Sequence, residues 1–185
     1  MTRRLPAAFL FAAALLTVAT GCRRSTDPER LAALDRLLGE VDSLEHTLDA
    51  MDTLELVHAR AIFDGQRDAI ELRFKDTLSP QAAVVLGNYH RAMAQALPLA
   101  LSEHRYTHNA LDSTRIRLSH LRHDLLHGLL SEAEERTFLA EERTVVNDLA
   151  QRVGAVSVRL TTIENDRVLY KDQVDPLLRD TPAKP

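Results

Sequence analysis

The sequence is poor in the residues on which many catalytic sites and compact cores depend. Its 185 residues include one cysteine, no tryptophan, three tyrosines and six glycines. A lone cysteine cannot close a disulfide within the chain, and neither a glycine-rich phosphate-binding loop nor a Gly-x-Ser-x-Gly nucleophile motif occurs. The glutamates between residues 132 and 142 have a spacing that favours a solvated helix face over a catalytic carboxylate pair. We therefore predict a protein that is not an enzyme and that holds no cofactor.

Aromatic residues and helix breakers are also scarce, which favours long helices. Aromatic residues make up 4% of the chain, and between residues 29 and 175 the only prolines are Pro80 and Pro98. Long helices with narrow apolar seams need less aromatic bulk than a compact core. The helix boundaries are marked by Asp27-Pro28, Ser79-Pro80, Gly128 and the capping box Ser131–Glu134. The sequence thus predicts helical segments over 28–77, 80–127 and 132–175, with Pro176 ending the last.

Apolar residues recur in these segments at alternating steps of three and four, the spacing of coiled coils. In the third segment the seam consists of Leu139, Glu142, Val146, Leu149, Val153, Val156, Leu160, Ile163, Arg167, Tyr170, Val174 and Leu177. The first segment has a matching stripe: Leu34, Leu37, Val41, Leu44, Leu48 and Met51. The second has Leu111, Leu118, Leu121 and Leu125. A charge in such a seam, as at Arg167, is expected to pair with an acidic residue of a neighbouring helix and so to fix the register.

Two interruptions of the long helices are predicted. Asp52 and Glu55 can form a second helix cap, so the first helix breaks near residue 52. Its stripe is expected to resume at Ile62, Ala69 and Leu72. Pro98 lacks a backbone donor and should break or kink the second helix. The predicted fold is all-α: an elongated antiparallel bundle of about three long helices with coiled-coil packing over residues 28–178, followed by a flexible tail over 179–185.

The first 21 residues have the pattern of a signal peptide. Arg3 and Arg4 precede an apolar run over residues 5–20, which is short for a membrane-spanning helix. Small residues then lead directly to the lone cysteine, Cys22. The sequence therefore predicts a leader over 1–21 that is removed, and the alternatives for the cysteine are a modified residue or an unmodified thiol near a secretory cleavage site.

The stretch Ala19-Thr20-Gly21-Cys22 resembles the lipobox of bacterial lipoproteins. The resemblance implies cleavage between Gly21 and Cys22, a covalent lipid on the Cys22 thiol, and a lipidated tether over residues 22–27. Two or three acyl chains hold a protein firmly on a membrane, whereas one chain holds it weakly. In that family an Asp directly after the cysteine retains many members in the inner membrane. Because Arg23 stands there, the resemblance implies the outer membrane of a bacterial envelope, facing the periplasm.

The stretch 121–146, "LRHDLLHGLLSEAEERTFLAEERTVV", is similar to an element of helical coiled-coil lipoproteins of the Bacteroidota type. In those proteins a helix ends in a Gly-Leu turn and a Glu-rich coiled-coil helix follows. The resemblance implies a shared helical fold and brings no activity with it.

The expected partners follow from charge and shape. The chain has 27 acidic against 23 basic residues, and Arg3 and Arg4 belong to the leader. This acidic balance argues against a nucleic-acid partner. We expect a membrane contact through the lipid, and contacts of the helical faces with a protein partner or a second copy. The resulting hypothesis is a lipid-anchored envelope protein that acts as a structural or interaction module.

The histidines supply an alternative function, metal binding or metal sensing in the periplasm. Eight histidines occur, and two pairs are spaced four residues apart, as helical metal ligands can be. The candidate ligands are His104, His108, His120, His123 and His127. Because His120 and His127 lie opposite the leucine stripe of their helix, we expect them in solvent. The other interpretations are a polar outer face that happens to be rich in imidazole and a pH-responsive surface.

Overall fold

The computed structural model describes residues 27–75 and 78–179. The predicted leader, the cleavage and lipidation positions Gly21 and Cys22, and residues 180–185 of the predicted tail lie outside these ranges.

Five α-helices and one π-helical segment account for nearly all of the described residues, which contain no strand. The elements are α1 (Pro28–Asp49), α2 (Thr53–Phe74), α3 (Pro80–His90), the π-helical segment (Arg91–Ala96), α4 (Leu97–His127) and α5 (Glu132–Arg179). They confirm the predicted all-α bundle of three long helical rods. The first rod is α1 followed by α2, the second runs from α3 through the π-helical segment to α4, and the third is α5.

The helices begin where side chains satisfy the free backbone N–H groups of a first turn. The Asp27 carboxylate accepts from the Glu29 N–H at 2.9 Å, and the Ser79 hydroxyl accepts from the Ala82 N–H at 3.2 Å. At the start of α5 the Ser131 N–H donates to Glu134 Oε2 at 2.7 Å, and the Glu134 N–H donates to the Ser131 hydroxyl at 3.4 Å. The predicted capping box and N-caps are therefore confirmed.

The first rod is interrupted at residues 50–52, as predicted. The Asp52 carboxylate accepts from the Glu55 N–H at 2.9 Å and starts α2 anew. The continuation of the stripe was predicted wrongly, however, because the interruption moves the buried face one residue along the sequence. Ile62 and Leu72 are 41% and 63% exposed. The buried residues of α2 are instead Leu56, Ala59, Phe63 and Ile70.

The second rod stays helical through Pro98, and the interruption takes the form of the π-helical segment directly before it. The Leu97 N–H donates to the Ala92 carbonyl, one residue further back than in an α-helix. Proline has no N–H to continue the α-helical pattern, and a π-helical turn is a common way to absorb such a misfit. The rod therefore changes its winding near residue 98 without ending there.

Pairs between helices show how the rods run. Arg30 of α1 binds Glu132 and Glu135 at the start of α5, and Arg167 of α5 binds Glu55 of α2. The first and third rods are thus parallel. The second rod runs the opposite way, since Arg122 binds Asp35 whereas the earlier His108 contacts Asp49.

This topology gives the bundle two ends. We call the end with Asp27, Gly128 and Ser131 the proximal end, and the end with Pro80 and Arg179 the distal end. The proximal half comprises α1, α4 and the first half of α5. The distal half comprises α2, α3, the π-helical segment and the rest of α5.

The seam of α5 lies in the core as predicted, with Val146, Val153, Leu160 and Val174 all buried. Leu111, Leu118, Leu121 and Leu125 of α4 pack into the same core. The predicted stop at Pro176 is wrong, because α5 continues to Arg179. Pro176 has no N–H to donate to the carbonyl of residue 172. Residue 172 is exposed, so its carbonyl can accept from water instead.

Candidate functional site

The five candidate histidines do not converge. His120, His123 and His127 lie exposed on the outer side of α4. The rings of His123 and His127 stack with centroids 4.0 Å apart, and His127 Nδ1 lies 2.7 Å from the His123 carbonyl oxygen. This pair belongs to no group of three metal-ligand atoms among the described residues.

His104 and His108 both face α1, but each meets a different partner. His104 Nε2 lies 3.1 Å from the Leu48 carbonyl oxygen, near the C-terminal end of α1. His108 lies one turn further along α4, between two carboxylates. Its Nε2 is 3.3 Å from Asp49 Oδ1, and its Nδ1 is 3.3 Å from Asp112 Oδ2.

Glu45 completes this group. One ligand atom from each of Glu45, Asp49 and His108 lies within 4.8 Å of the other two. We call Glu45, Asp49, His108 and Asp112 the His108 cluster. Of these four residues only His108 is predicted from the sequence, and the three carboxylates are not. The two spacings of four residues, 45 with 49 and 108 with 112, are visible in the sequence, but the antiparallel register that brings them together is not.

Arg115 lies beside the cluster and pairs with its carboxylates. It binds Asp42 at 2.7 Å and also Glu45, and it lies 3.9 Å from Asp112. The Arg115 guanidinium hydrogen-bonds to the Glu45 carboxylate and lowers the pKa of Glu45 below its ordinary value. The same carboxylate raises the pKa of Arg115. Glu45 is therefore a carboxylate anion at neutral pH, and it keeps lone pairs that Arg115 does not use.

Other charged pairs fix the register of the rods and offer no reactive group. Arg167, the charged seam residue of α5, binds Glu164 at 2.5 Å and Glu55 of α2 at 2.6 Å. The expected pairing of Arg167 with an acid of a neighbouring helix is thus found. At the proximal end Arg30 binds the buried Glu135, which raises the pKa of Arg30.

Several apolar side chains of the distal half are exposed and do not pack into the core of the bundle. On α2, Leu54 is 80% exposed, Val57 51% and Leu72 63%. The Gly65 position between them is open, with no atom within 4 Å of where a Cβ would stand. This outer surface of α2, defined by Leu54, Val57, Ile62 and Leu72, is named the α2 face.

The grooves on the described surface are shallow and open to solvent. One lies between α4 and α5, where Arg152 stacks on the exposed Tyr106 ring at 5.7 Å and Asn109, Asp148 and Arg117 complete the lining.

Comparisons with protein-family models, with curated proteins and with solved structures found no match. Within the described ranges, every helix is too short or too polar to cross a bilayer.

Proposed function

We propose that this protein is a lipid-anchored component of a bacterial cell envelope and acts through protein contacts rather than catalysis. In this proposal the lipid on Cys22 holds the proximal end at the outer membrane. The bundle then projects into the periplasm and presents its distal half to a protein partner or a second copy.

The position of Asp27, the first described residue, supports this orientation. Asp27 lies at the proximal end, and five peptide units separate it from Cys22. Such a chain reaches at most about 18 Å, so an anchor on Cys22 keeps the proximal end near the membrane. The 48 residues of α5 then extend about 70 Å to the distal end.

The observation that carries the proposal is the α2 face. Large apolar side chains grouped on an exposed surface commonly mark an interaction site. Leu54, Val57 and Leu72 are more than half exposed, and they lie on the half of the bundle remote from the anchor. Exposed apolar side chains also occur in the proximal half, at Ile116 and Leu126 among others, but the α2 face lies remote from the anchor and is therefore the better candidate for a protein contact.

Labelling with a fatty-acid analogue in an expressing bacterium tests the anchor. We expect the full chain to incorporate the label and to sediment with membranes, and Cys22→Ser to lose both properties. A wild-type chain recovered unlabelled from the aqueous fraction would overturn the proposal.

Site-specific photo-crosslinking in intact cells tests the contact. A crosslinker at Leu54 or Leu72 should give a discrete adduct, with another protein or with a second copy. The matched control is Ile116, which is 56% exposed on α4 in the proximal half. Absence of adducts at the α2 positions, or equal adducts at Ile116, would contradict a contact through the α2 face.

A further inference from the structure

We propose that the His108 cluster binds a divalent transition-metal cation, with Glu45, Asp49 and His108 as ligands and Asp112 as the residue that orients the imidazole. Glu45 and Asp49 lie one turn apart on α1, and His108 and Asp112 lie one turn apart on α4. The cluster thus lies between two helices that are packed independently of it.

The hydrogen-bonding capacity of His108 supports a cation at this position. Both ring nitrogens face carboxylate oxygens, those of Asp49 and Asp112. An imidazole whose Nδ1 donates to Asp112 directs the Nε2 lone pair toward the Asp49 carboxylate, where a cation between the two would bind both. A carboxylate that binds the second nitrogen is the usual support of a metal-ligating histidine.

The separation of His108 Nε2 and Asp49 Oδ1 is compatible with the coordination of one ion. The two atoms lie 3.3 Å apart. Two ligand atoms that each lie about 2.05 Å from a tetrahedral Zn²⁺ are about 3.3 Å apart. The pair has the separation of two neighbouring ligands, and a Glu45 carboxylate oxygen lies within 4.8 Å of both atoms.

Charge and access favour a cation as well. Asp42, Glu45 and Asp112 lie within 4 Å of Arg115, and Asp49 adds a fourth carboxylate beside His108, so the carboxylates outnumber the one arginine. Asp49 is the last residue of α1, where the helix dipole adds partial negative charge. The side chains of Asp49 and His108 are 57% and 34% exposed, so an ion and completing water ligands can enter from solvent.

The ligand types indicate the class of ion. Mg²⁺ and Ca²⁺ take oxygen ligands, whereas an imidazole with carboxylates suits Zn²⁺ and related transition ions. The proposal does not depend on the anchor. Of the five histidines predicted from sequence it keeps only His108 as a ligand, and the other protein ligands are two carboxylates of α1.

Calorimetry with the full chain purified in detergent tests the proposal, with Zn²⁺ as the probe and Mg²⁺ as the comparison ion. We expect one Zn²⁺ per chain and no heat with Mg²⁺. His108→Gln and Asp49→Asn should each abolish detectable binding. Asp112→Asn keeps all three ligands and should weaken binding about tenfold. The matched control is the double variant His123→Gln, His127→Gln, which should bind Zn²⁺ like the wild type.

Two results would overturn the proposal. One is the absence of Zn²⁺ binding to the wild type, which would mean that a protonated imidazole alone accounts for both contacts of His108. The other is binding that persists in His108→Gln and disappears in the double variant, which would place the ion on the exposed His123–His127 pair. Circular dichroism of each variant shows whether the helices are intact, and Asp112→Asn keeps the test decisive if His108→Gln does not fold.

Discussion

The two halves of the bundle share one apolar core but differ in the polar contacts that join their rods. Across the proximal half, arginines of one rod bind carboxylates of another, as in Arg30–Glu132, Arg122–Asp35 and Arg117–Glu142. In the distal half, Phe63 packs edge-on against Tyr89 with centroids 5.7 Å apart. There Arg60 donates to the Met93 carbonyl at 2.5 Å.

This difference affects how firmly the rods of each half keep their register. Exposed ion pairs each contribute little to stability, but several of them along three rods disfavour any shifted alignment. The distal half has fewer such pairs between rods, among them Arg167–Glu55. We therefore expect the proximal half to be the more firmly aligned part. Both halves leave large apolar side chains in water, as at Leu72 and Ile116, so exposure alone does not distinguish them.

The largest expected effect comes from truncating the aromatic core of the distal half. Phe63 is fully buried, and Phe63→Ala should lower the free energy of unfolding by about 3–5 kcal/mol. If the distal half is the less firmly held part, hydrogen exchange should accelerate in α2 and α3 before it accelerates in α1. Leu118→Ala, a buried residue of the proximal half, is the control and should accelerate exchange throughout. Equal acceleration in α1 and α2 for both variants would show that the halves unfold as one unit.

A smaller effect is expected at the turn that closes the proximal end. Gly128 has φ of 63°, and the Leu129 N–H donates to the Asp124 carbonyl at 3.0 Å. A side chain in this left-handed conformation costs about 1–2 kcal/mol, so Gly128→Ala should lower stability by that amount in thermal or denaturant unfolding. Gly39→Ala is the control, because Gly39 lies within α1 with open space around its Cβ position. There alanine should stabilise the helix slightly, and equal losses for the two variants would contradict the assignment.

The smallest effect is a pH dependence at the start of α5. The Ser131 hydroxyl and N–H bind the Glu134 carboxylate and lower the pKa of Glu134. The unfolded chain then binds this proton more readily than the folded one. The stabilisation is present above the ordinary glutamate pKa and is lost as the pH falls through the lowered value in the folded chain.

Glu134→Gln isolates this effect, because glutamine keeps the capping hydrogen bond without the charge. We expect the variant to show a weaker fall in thermal midpoint between neutral and acidic pH than the wild type. An identical pH profile for the two chains would show that the charge of Glu134 contributes nothing.

Local signals in the sequence predicted most of the fold because caps and seams depend on neighbouring residues. Asp27, Asp52, Ser79 and Gly128 each act within one turn, and the seam of α5 repeats without interruption. The buried residues of α2 were not predictable, because they depend on how far the break at residues 50–52 rotates α2 relative to α1.

The candidate site was the least predictable part for the same reason. The meeting of Asp49 with His108 depends on the lengths of α2 and α3 and on the extra winding of the π-helical segment. None of these quantities is local to residues 49 or 108. The histidines could be counted in the sequence, but their carboxylate neighbours could be found only from the packed rods.

The odd number of rods has a mechanical consequence. Asp27 and Arg179 lie at opposite ends, and the neighbouring α1 and α5 run in the same direction. Tension applied between these two residues would slide α1 along α5, so the contacts between them would resist together and in shear. A bundle with an even number of rods would bring both termini to one end, where the same pull would peel the helices apart contact by contact.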